Sequence, residues 1–282
     1  MKLIIIAVIL LALLVTVLIA RDCNRFVIVT YHIKTGVLKE PVKTVFVSDL
    51  HDKQYGPSNE KLLSAIDRIA PKLIFVGGDL LTAHPGNEVG KSLAFIRELT
   101  ARGPVFYGSG NHEQRLKLYP ETYGDMSRQL EEGLQEAGVI RLVNEEKAAE
   151  DLPLSISSVE IPRRFYKRGR LREMTKDDMT ALLQPSEKEG RYRILLAHNP
   201  DYFDAYKKWG ADLVLSGHIH GGLVRLPFLG GVVSPRICFF PKYDGGRFDE
   251  DGKTMIVSRG LGFHTLPIRL FNPGELIEII LE

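Results

Sequence analysis

The stretch Leu213–Gly222, "LVLSGHIHGG", joins an apolar run to two histidines that are separated by one residue and flanked by glycines. Side chains alternate along an extended backbone, so His218 and His220 are expected to point the same way. Two imidazoles on one side provide half of a metal site. A polar loop that happens to contain histidine is the simpler interpretation of an isolated H-x-H, because short motifs match by chance. The rest of the chain decides between the two.

Four other short apolar runs are also followed, within a few residues, by Asp, Asn or His. In open α/β sheets, ligands bind beyond the carboxyl ends of the strands, so side chains that follow the strands should converge. One such ending is readily explained as a buried or capping Asp, but five together indicate a site. The candidate residues are Asp49, His51, Asp79, Asn111, His112, His198, His218 and His220.

The candidate side chains offer carboxylate oxygen, amide oxygen and imidazole nitrogen, and they include no thiolate. This set suits Mn, Fe, Zn or Mg better than a structural zinc. If Asp49 and Asp79 are the only anionic ligands, two divalent ions leave the pocket positively charged, and an incoming phosphate would neutralise that charge. Glycines such as Gly217 and Gly221 allow the backbone to turn sharply beside a bulky group.

Apolar runs alternate with stretches that have the apolar spacing of helices. In residues 59–69, Leu62, Ile66 and Ile69 recur at i, i+4 and i+7, which predicts a helix that packs on a sheet. Residues 90–99 form a second such stretch. The alternation predicts an α/β architecture with much parallel sheet. The polar segment 114–191 interrupts it and is predicted to be an insertion or cap. The expected strands are Thr44–Val47, Leu73–Val76, Val105–Tyr107, Ile194–Ala197, Leu213–Leu215, Met255–Val257 and Leu276–Leu281.

The overall composition narrows the class of function. The net charge of +2 over 282 residues gives no argument for nucleic-acid binding. Two cysteines, Cys23 and Cys238, are too few for a zinc-finger framework or a disulfide scaffold. The sequence has no G-x-S-x-G elbow, no Walker loop and no G-x-G-x-x-G after a strand. Hydrolysis without a covalent enzyme intermediate is therefore the simplest chemistry.

The N-terminus has the composition of a membrane segment. Leu3–Ala20 is an apolar run that is broken only by Thr16, and as a helix it would span about 27 Å, enough for a bilayer core. A cleaved signal peptide is the main alternative, but Leu18 is too large for position −3 of a cleavage site after Ala20. We predict a single-pass anchor at 1–20, a juxtamembrane segment at 21–41 and the folded domain at 42–282.

Two features of the sequence point to opposite orientations of the anchor. The basic residues that follow the run outnumber Lys2, which by the positive-inside rule keeps the domain in the cytoplasm. The two-residue tail before the run is typical of a bacterial signal-anchor, and large domains translocate largely regardless of charge. We favour an extracytoplasmic domain.

The ordered set D-x-H, G-D, G-N-H-E, a single His after a strand, and G-H-x-H resembles the calcineurin-like metallophosphoesterase superfamily. Longer strings such as "LAHNPDYF" and "VSRGLGFHTLPIR" resemble its membrane-associated bacterial branch, similar to the YkuE and YaeI phosphoesterases. The resemblance implies a β-sandwich of mixed sheets flanked by helices. It also implies one metal held by Asp49, His51 and His220, a second held by Asn111, His198 and His218, and Asp79 as the bridge.

The function that follows is hydrolysis of a phosphate ester or anhydride by two divalent ions, whose bound hydroxide attacks phosphorus. His112 would protonate the leaving oxygen or bind a phosphoryl oxygen. His264 and Arg269 are further candidates for binding phosphate. Some relatives in this branch cleave the pyrophosphate of UDP-2,3-diacylglucosamine, so a lipid-linked or nucleotide-sugar substrate near the membrane is expected. A phosphoprotein phosphatase, a nuclease and a non-catalytic membrane scaffold remain as alternatives.

Overall fold

The computed structural model describes residues 1–166, 172–185, 190–222, 224–226, 228–233, 239–263 and 267–282. Within these residues the helices are α1 (Lys2–Cys23), α2 (Glu60–Ile69), α3 (Gly90–Thr100), α4 (Asn111–Leu118), α5 (Pro120–Tyr123), α6 (Met126–Glu136), α7 (Lys176–Leu182) and α8 (Phe203–Trp209). The strands are β1 (Phe26–Ile33), β2 (Val42–Val47), β3 (Leu73–Val76), β4 (Val105–Tyr107), β5 (Ile140–Arg141), β6 (Glu145–Ala148), β7 (Leu154–Ser158), β8 (Tyr192–Leu196), β9 (Leu213–Ser216), β10 (Arg225–Leu226), β11 (Gly230–Gly231), β12 (Gly246–Glu250), β13 (Lys253–Val257) and β14 (Gly274–Leu281).

Twelve of the described strands form two six-stranded sheets. The first has the order β1-β14-β2-β3-β4-β5 and the second the order β12-β13-β9-β8-β7-β6. Most neighbouring strands run parallel, and the antiparallel pairs are β14 with β2, β12 with β13, and β6 with β7. The predicted mixed α/β fold with two sheets is therefore confirmed.

The two sheets pack face to face, and helices cover their outer faces. The interior between the sheets contains Phe46, Phe75 and Phe106 from the first sheet and Ile194 and Leu215 from the second. Leu62, Ile66 and Ile69 of α2 pack on the outer face of the first sheet, as their spacing predicts. Helices α7 and α8 cover the second sheet, where Trp209 belongs to the core. The result is a four-layer arrangement of helix, sheet, sheet and helix.

The parallel strands bring their carboxyl ends to one edge of the sandwich. Strands β2, β3 and β4 are parallel neighbours in the first sheet, and β8 and β9 are parallel neighbours in the second. Each of these five strands is followed by one or two of the candidate site residues. The topology therefore places all the candidates at the same end of the molecule, where ligands bind in α/β folds.

Besides β10, β11 and β12, two segments with other expected roles contribute strands that the sequence pattern did not predict. The segment 21–41, expected to be a connector, contains β1, which pairs along its whole length with β14. The segment 114–191, expected to be an insertion, supplies β5 to the first sheet and β6 and β7 to the second. Strand β7 has the sequence "LSISS", in which Ser157 and Ser158 are fully buried, so hydrophobicity alone does not reveal it.

Helix α1 stands apart from the sandwich. Most of its apolar residues are exposed, and the helix is 22 residues long. It is therefore long and apolar enough to cross a membrane, a property it shares with signal sequences. Only its last two residues, Asp22 and Cys23, are buried.

Candidate metal centre

The structure brings seven of the eight core candidate residues to one cluster, and the eighth, Asn111, directly precedes one of them, His112. Asp49 and His51 follow β2, Asp79 follows β3, and Asn111 and His112 open α4 after β4. His198 follows β8, and His218 and His220 follow β9. The carboxylates are fully buried, and the imidazole of His198 is as well.

The backbone at these turns is held in an unusual conformation. Five of the candidates have a positive φ: Asp49, His51, Asp79, His218 and His220, with values between 47° and 70°. This left-handed region is uncommon for residues other than glycine, although Asp and His enter it more readily than most. Such conformations persist where the surrounding structure enforces them, typically at functional sites.

Asp49, His51 and His220 form the first of three groups whose ligand atoms lie within 4.8 Å of one another. The Nε2 atom of His220 lies 3.3 Å from Oδ1 of Asp49. The Nε2 atoms of His51 and His220 are 3.2 Å apart, which directs two nitrogen atoms to one point. This is the group to which the family resemblance assigns one metal ion.

Asp79, His198 and His218 form the second group, and Asp79 also lies within reach of His51 and His112 in the third. Oδ2 of Asp79 is 3.0 Å from Nε2 of His198 and 3.8 Å from Nε2 of His51. Asp79 therefore faces both halves of the cluster, as a bridging carboxylate would.

Backbone and side-chain donors hold the two carboxylates in place. The amide N–H of His218 donates to Asp49, and so does the hydroxyl of Ser48. The amide N–H of His112 donates to Oδ1 of Asp79 at 2.8 Å. In Asp79 the other oxygen, Oδ2, faces imidazoles, whereas Oδ1 of Asp49 both accepts from the amide of His218 and faces His220.

Glu113 is a supporting residue, and its place in the G-N-H-E string allows it to orient a neighbour or to cap a helix. Its carboxylate accepts from the amides of Asp79, Leu80 and Gly110 and from the hydroxyl of Tyr107. It therefore does both, because it caps α4 and ties the loop that carries Asp79 to that helix. The G-N-H-E string contains the signal, since Glu at the third helical position is the capping-box residue.

The sequence profile of calcineurin-like phosphoesterases matches residues 42–222. The chain belongs to this family.

Three relatives show how far the likeness extends. An uncharacterized metallophosphoesterase, Cj0846 of Campylobacter jejuni, is 26% identical over 87% of this chain and 60% of its own length. Phosphodiesterase YaeI of Escherichia coli is 26% identical over 69% of this chain and 66% of its own length. UDP-2,3-diacylglucosamine pyrophosphatase LpxG of Chlamydia muridarum is 24% identical over 83% of this chain and 82% of its own. This chain thus covers about three fifths of the length of Cj0846 and about two thirds of the length of YaeI.

His112 lies at the edge of this phosphoesterase cluster with a defined ring orientation. Its Nδ1 accepts a hydrogen bond from the amide of Ala83 at 2.8 Å. The neutral ring therefore carries its proton on Nε2. The ring also meets that of His51 edge to face at 4.8 Å. These contacts fix which nitrogen is available as a proton donor.

The charges within the cluster depend on one another. Burial raises the pKa of Asp79 to about 7, in spite of the imidazole of His198, which lowers it. Burial lowers the pKa of His198, but the carboxylates of Asp79 and Asp49 outweigh it and raise that pKa to about 10. Burial also favours the neutral form of Asp49, but His220 and His198 outweigh it and hold its pKa well below the ordinary value. The buried carboxylates require a nearby positive charge.

The donor set of the cluster fits divalent metal ions. Among the described residues, the ion pairs of Asp49 and Asp79 are with imidazoles, and none is with Lys or Arg. The side-chain oxygen of Asn111 is buried and has no hydrogen-bond partner within the described part of the chain. Buried carboxylates and amide oxygens are costly without partners, and Mn, Fe, Zn or Mg would satisfy both.

Arg269 and His264 are the two further candidates for phosphate binding. Arg269 is 3% exposed, and its guanidinium donates to the backbone carbonyls of Arg259, Gly260, Gly262 and Asn272. These contacts hold two loops together, and binding of phosphate by Arg269 stays a prediction. A buried arginine needs several acceptors, and the carbonyls supply them. His264 lies outside the described residues.

Proposed function

We propose that this chain hydrolyses phosphate esters or anhydrides with the help of two divalent metal ions. The observation that carries the proposal is the convergence of Asp49, His51 and His220 on one side of Asp79 and of His198 and His218 on the other. Membership of the calcineurin-like phosphoesterase family supports the same chemistry. The relatives named as a phosphodiesterase and a pyrophosphatase support phosphorus as the site of attack.

The residues of the chain divide into holding and proton-transfer roles. One ion would be held by Asp49, His51 and His220. The other would be held by Asn111, His198 and His218, and Asp79 would bind both ions. When bound, two such ions activate a water molecule and stabilise the charge that develops on the phosphoryl oxygens. His112 presents its Nε2 proton, since Nδ1 is engaged by Ala83, and would donate it to the leaving oxygen.

The substrate we propose is a lipid-linked or nucleotide-sugar phosphate at a membrane. The support is the apolar helix α1 together with the likeness to a pyrophosphatase named for a diacylated nucleotide sugar. We further propose that α1 is an uncleaved single-pass anchor and that the domain is extracytoplasmic. Nucleic acid is not expected as a substrate, because the net charge is only +2.

A substrate panel with added Mn²⁺ tests the proposal directly. The panel contains p-nitrophenyl phosphate, bis-p-nitrophenyl phosphate, a nucleotide-sugar pyrophosphate, a phosphopeptide, and single- and double-stranded DNA. We expect Mn²⁺-dependent turnover of a small ester and of the pyrophosphate, and loss of turnover after chelation. Preference for the phosphopeptide or for DNA would support the phosphatase or nuclease alternative. Absence of turnover on every substrate with metal present would overturn the proposal.

A further inference from the structure

A group of exposed apolar side chains lies on the loops beyond His220, and we call it the aromatic face. Phe228, Leu229, Phe240 and Phe271 line one open depression of about 570 Å³. Phe239 directly precedes Phe240, and Ile268 lies three residues before Phe271. The exposure of the six residues ranges from 37% for Ile268 to 108% for Phe228. Contiguous exposed apolar groups of this kind mark protein–protein or membrane contacts.

The backbone holds three of the four phenylalanines of this face in strained conformations. Phe228, Phe240 and Phe271 have φ values of 67°, 49° and 54°, in the region that favours glycine. A bulky residue in this region is a true outlier and costs about 1–2 kcal/mol. Glycine or asparagine would meet the conformational demand of these turns at a lower cost. Three strained phenylalanines that all point into solvent indicate that the side chains themselves are needed.

The aromatic face adjoins the C-terminal end of helix α1. The thiol of Cys23 donates to the carbonyl oxygen of Pro267 at 3.3 Å, next to Ile268. Lys53 donates to Asn24, directly after the helix, at 3.4 Å. Strand β1 begins at Phe26 and pairs at once with Gly274, the first residue of β14. The helix therefore enters the sheet within three residues, with no flexible connector between them.

The helix end and the metal centre lie at the same end of the molecule. Strand β14 runs antiparallel to β2, so its beginning lies beside the end of β2, which Asp49 follows. Asn272 precedes β14, and its side-chain amide donates to the carbonyls of His220 and Gly222. A bilayer that holds α1 would thus meet the aromatic face and the mouth of the metal centre together.

We propose that the aromatic face is a membrane-docking surface that inserts into the headgroup and upper acyl region of the bilayer that holds α1. Aromatic side chains favour this region, and apolar side chains gain free energy by leaving water there. Arg225 and Lys242 line the same depression but pair with Asp244 and Glu250, so the aromatic side chains carry the attachment. Docking would turn the metal centre towards the membrane surface. The proposal rests on the proposed role of α1 as a membrane anchor and does not depend on the proposed hydrolysis.

Tryptophan fluorescence in the full chain tests this docking. Phe228→Trp and Phe240→Trp each place a probe on the face, and the native Trp209 is only 3% exposed and gives a constant background. The matched control is Ala101→Trp, an exposed position after α3 at the opposite end of the first sheet, just before β4. Each protein is reconstituted into phosphatidylcholine vesicles with and without lipids brominated in the upper part of the acyl chain.

We expect the brominated lipids to reduce the emission of both probes on the face by about half, because interfacial side chains contact that part of the lipid. The Ala101→Trp protein should lose no more emission than the unsubstituted chain. Quenching of the face probes equal to that of the control overturns the proposal. Failure of the full chain to float with the vesicles overturns it as well, since helix and face together would then not bind a bilayer.

Discussion

His112 lies beside Asp79 and His51, and its Nδ1 accepts a hydrogen bond from the amide of Ala83. It is assigned the role of proton donor and is not assigned to hold a metal ion. The variant His112→Ala should therefore keep its metal content and lose activity by about 10²–10⁴-fold, the usual contribution of general acid catalysis. The measurement is the turnover of an ester with a poor leaving group, with metal analysis of the same sample. Full activity on that ester would contradict the role assigned to His112.

Glu113 stabilises the loop that carries Asp79 by accepting four hydrogen bonds in a buried position. Glu113→Ala leaves several buried donors without a partner, so we expect a loss of about 3 kcal/mol or more in the free energy of unfolding. The matched variant Tyr107→Phe removes one of the four donors and should cost only about 1 kcal/mol. Urea unfolding of both variants measures the difference. Equal losses would show that the carboxylate contributes no more than the phenol hydroxyl.

Gly217 shows how closely the turns after the strands fit against the ligands. A Cβ atom at this position would overlap the carboxylate of Asp49 and the hydroxyl of Ser48. Gly217→Ala should therefore displace Asp49 and lower metal affinity by about tenfold or more, as changes around metal ligands commonly do. Gly90→Ala is the control, because a Cβ there meets no atom within 4 Å and lies in helix α3. Metal titration should show weaker binding for Gly217→Ala than for Gly90→Ala. Similar metal affinities of the two variants would contradict this account of Gly217.

At the scale of elements, a shortened chain that lacks α1 should still contain β1 if it is to stay soluble. Removal of this strand exposes the edge of β14, whose eight residues pair with it. Exposed apolar edge strands promote aggregation. A chain starting at Arg21 should be monodisperse by size exclusion, whereas one starting at Lys39 should aggregate or melt at a lower temperature. Equal behaviour of the two chains would show that β1 adds nothing to the sheet.

The sequence predicted some elements well and missed others for identifiable reasons. Helix α2 and the strands before the candidate ligands have clear apolar spacing and are bounded by Gly, Asp or His, so their patterns are unambiguous. Strand β1 begins three residues after the end of α1, so its apolar residues merge with the apolar run of the helix. Strand β6, "EEKA", has no apolar face, since it lies at the edge of its sheet and is largely exposed. Only the tertiary pairing identifies such strands.

At the scale of the whole molecule, the ligand types were predictable because chemistry restricts them, while the supporting contacts were not. Carboxylate, amide and imidazole groups after five strands point to a metal site whatever the details of the fold. The role of Arg269 depends on carbonyls from two loops that are brought together only by folding. The aromatic face could likewise not be predicted from the sequence, because its members come from three separate stretches of the chain.

The metal content of the purified full chain is the measurement that tests the central claim most directly. After loading with Mn²⁺ and removal of free metal, the unsubstituted protein should retain close to two ions per chain, as a two-metal site requires. Asp79→Ala removes the carboxylate that faces both halves of the cluster, so metal content and phosphoester hydrolysis should fall together. An unsubstituted chain that retains no metal, or an Asp79→Ala variant that keeps both its ions and its activity, would contradict the account.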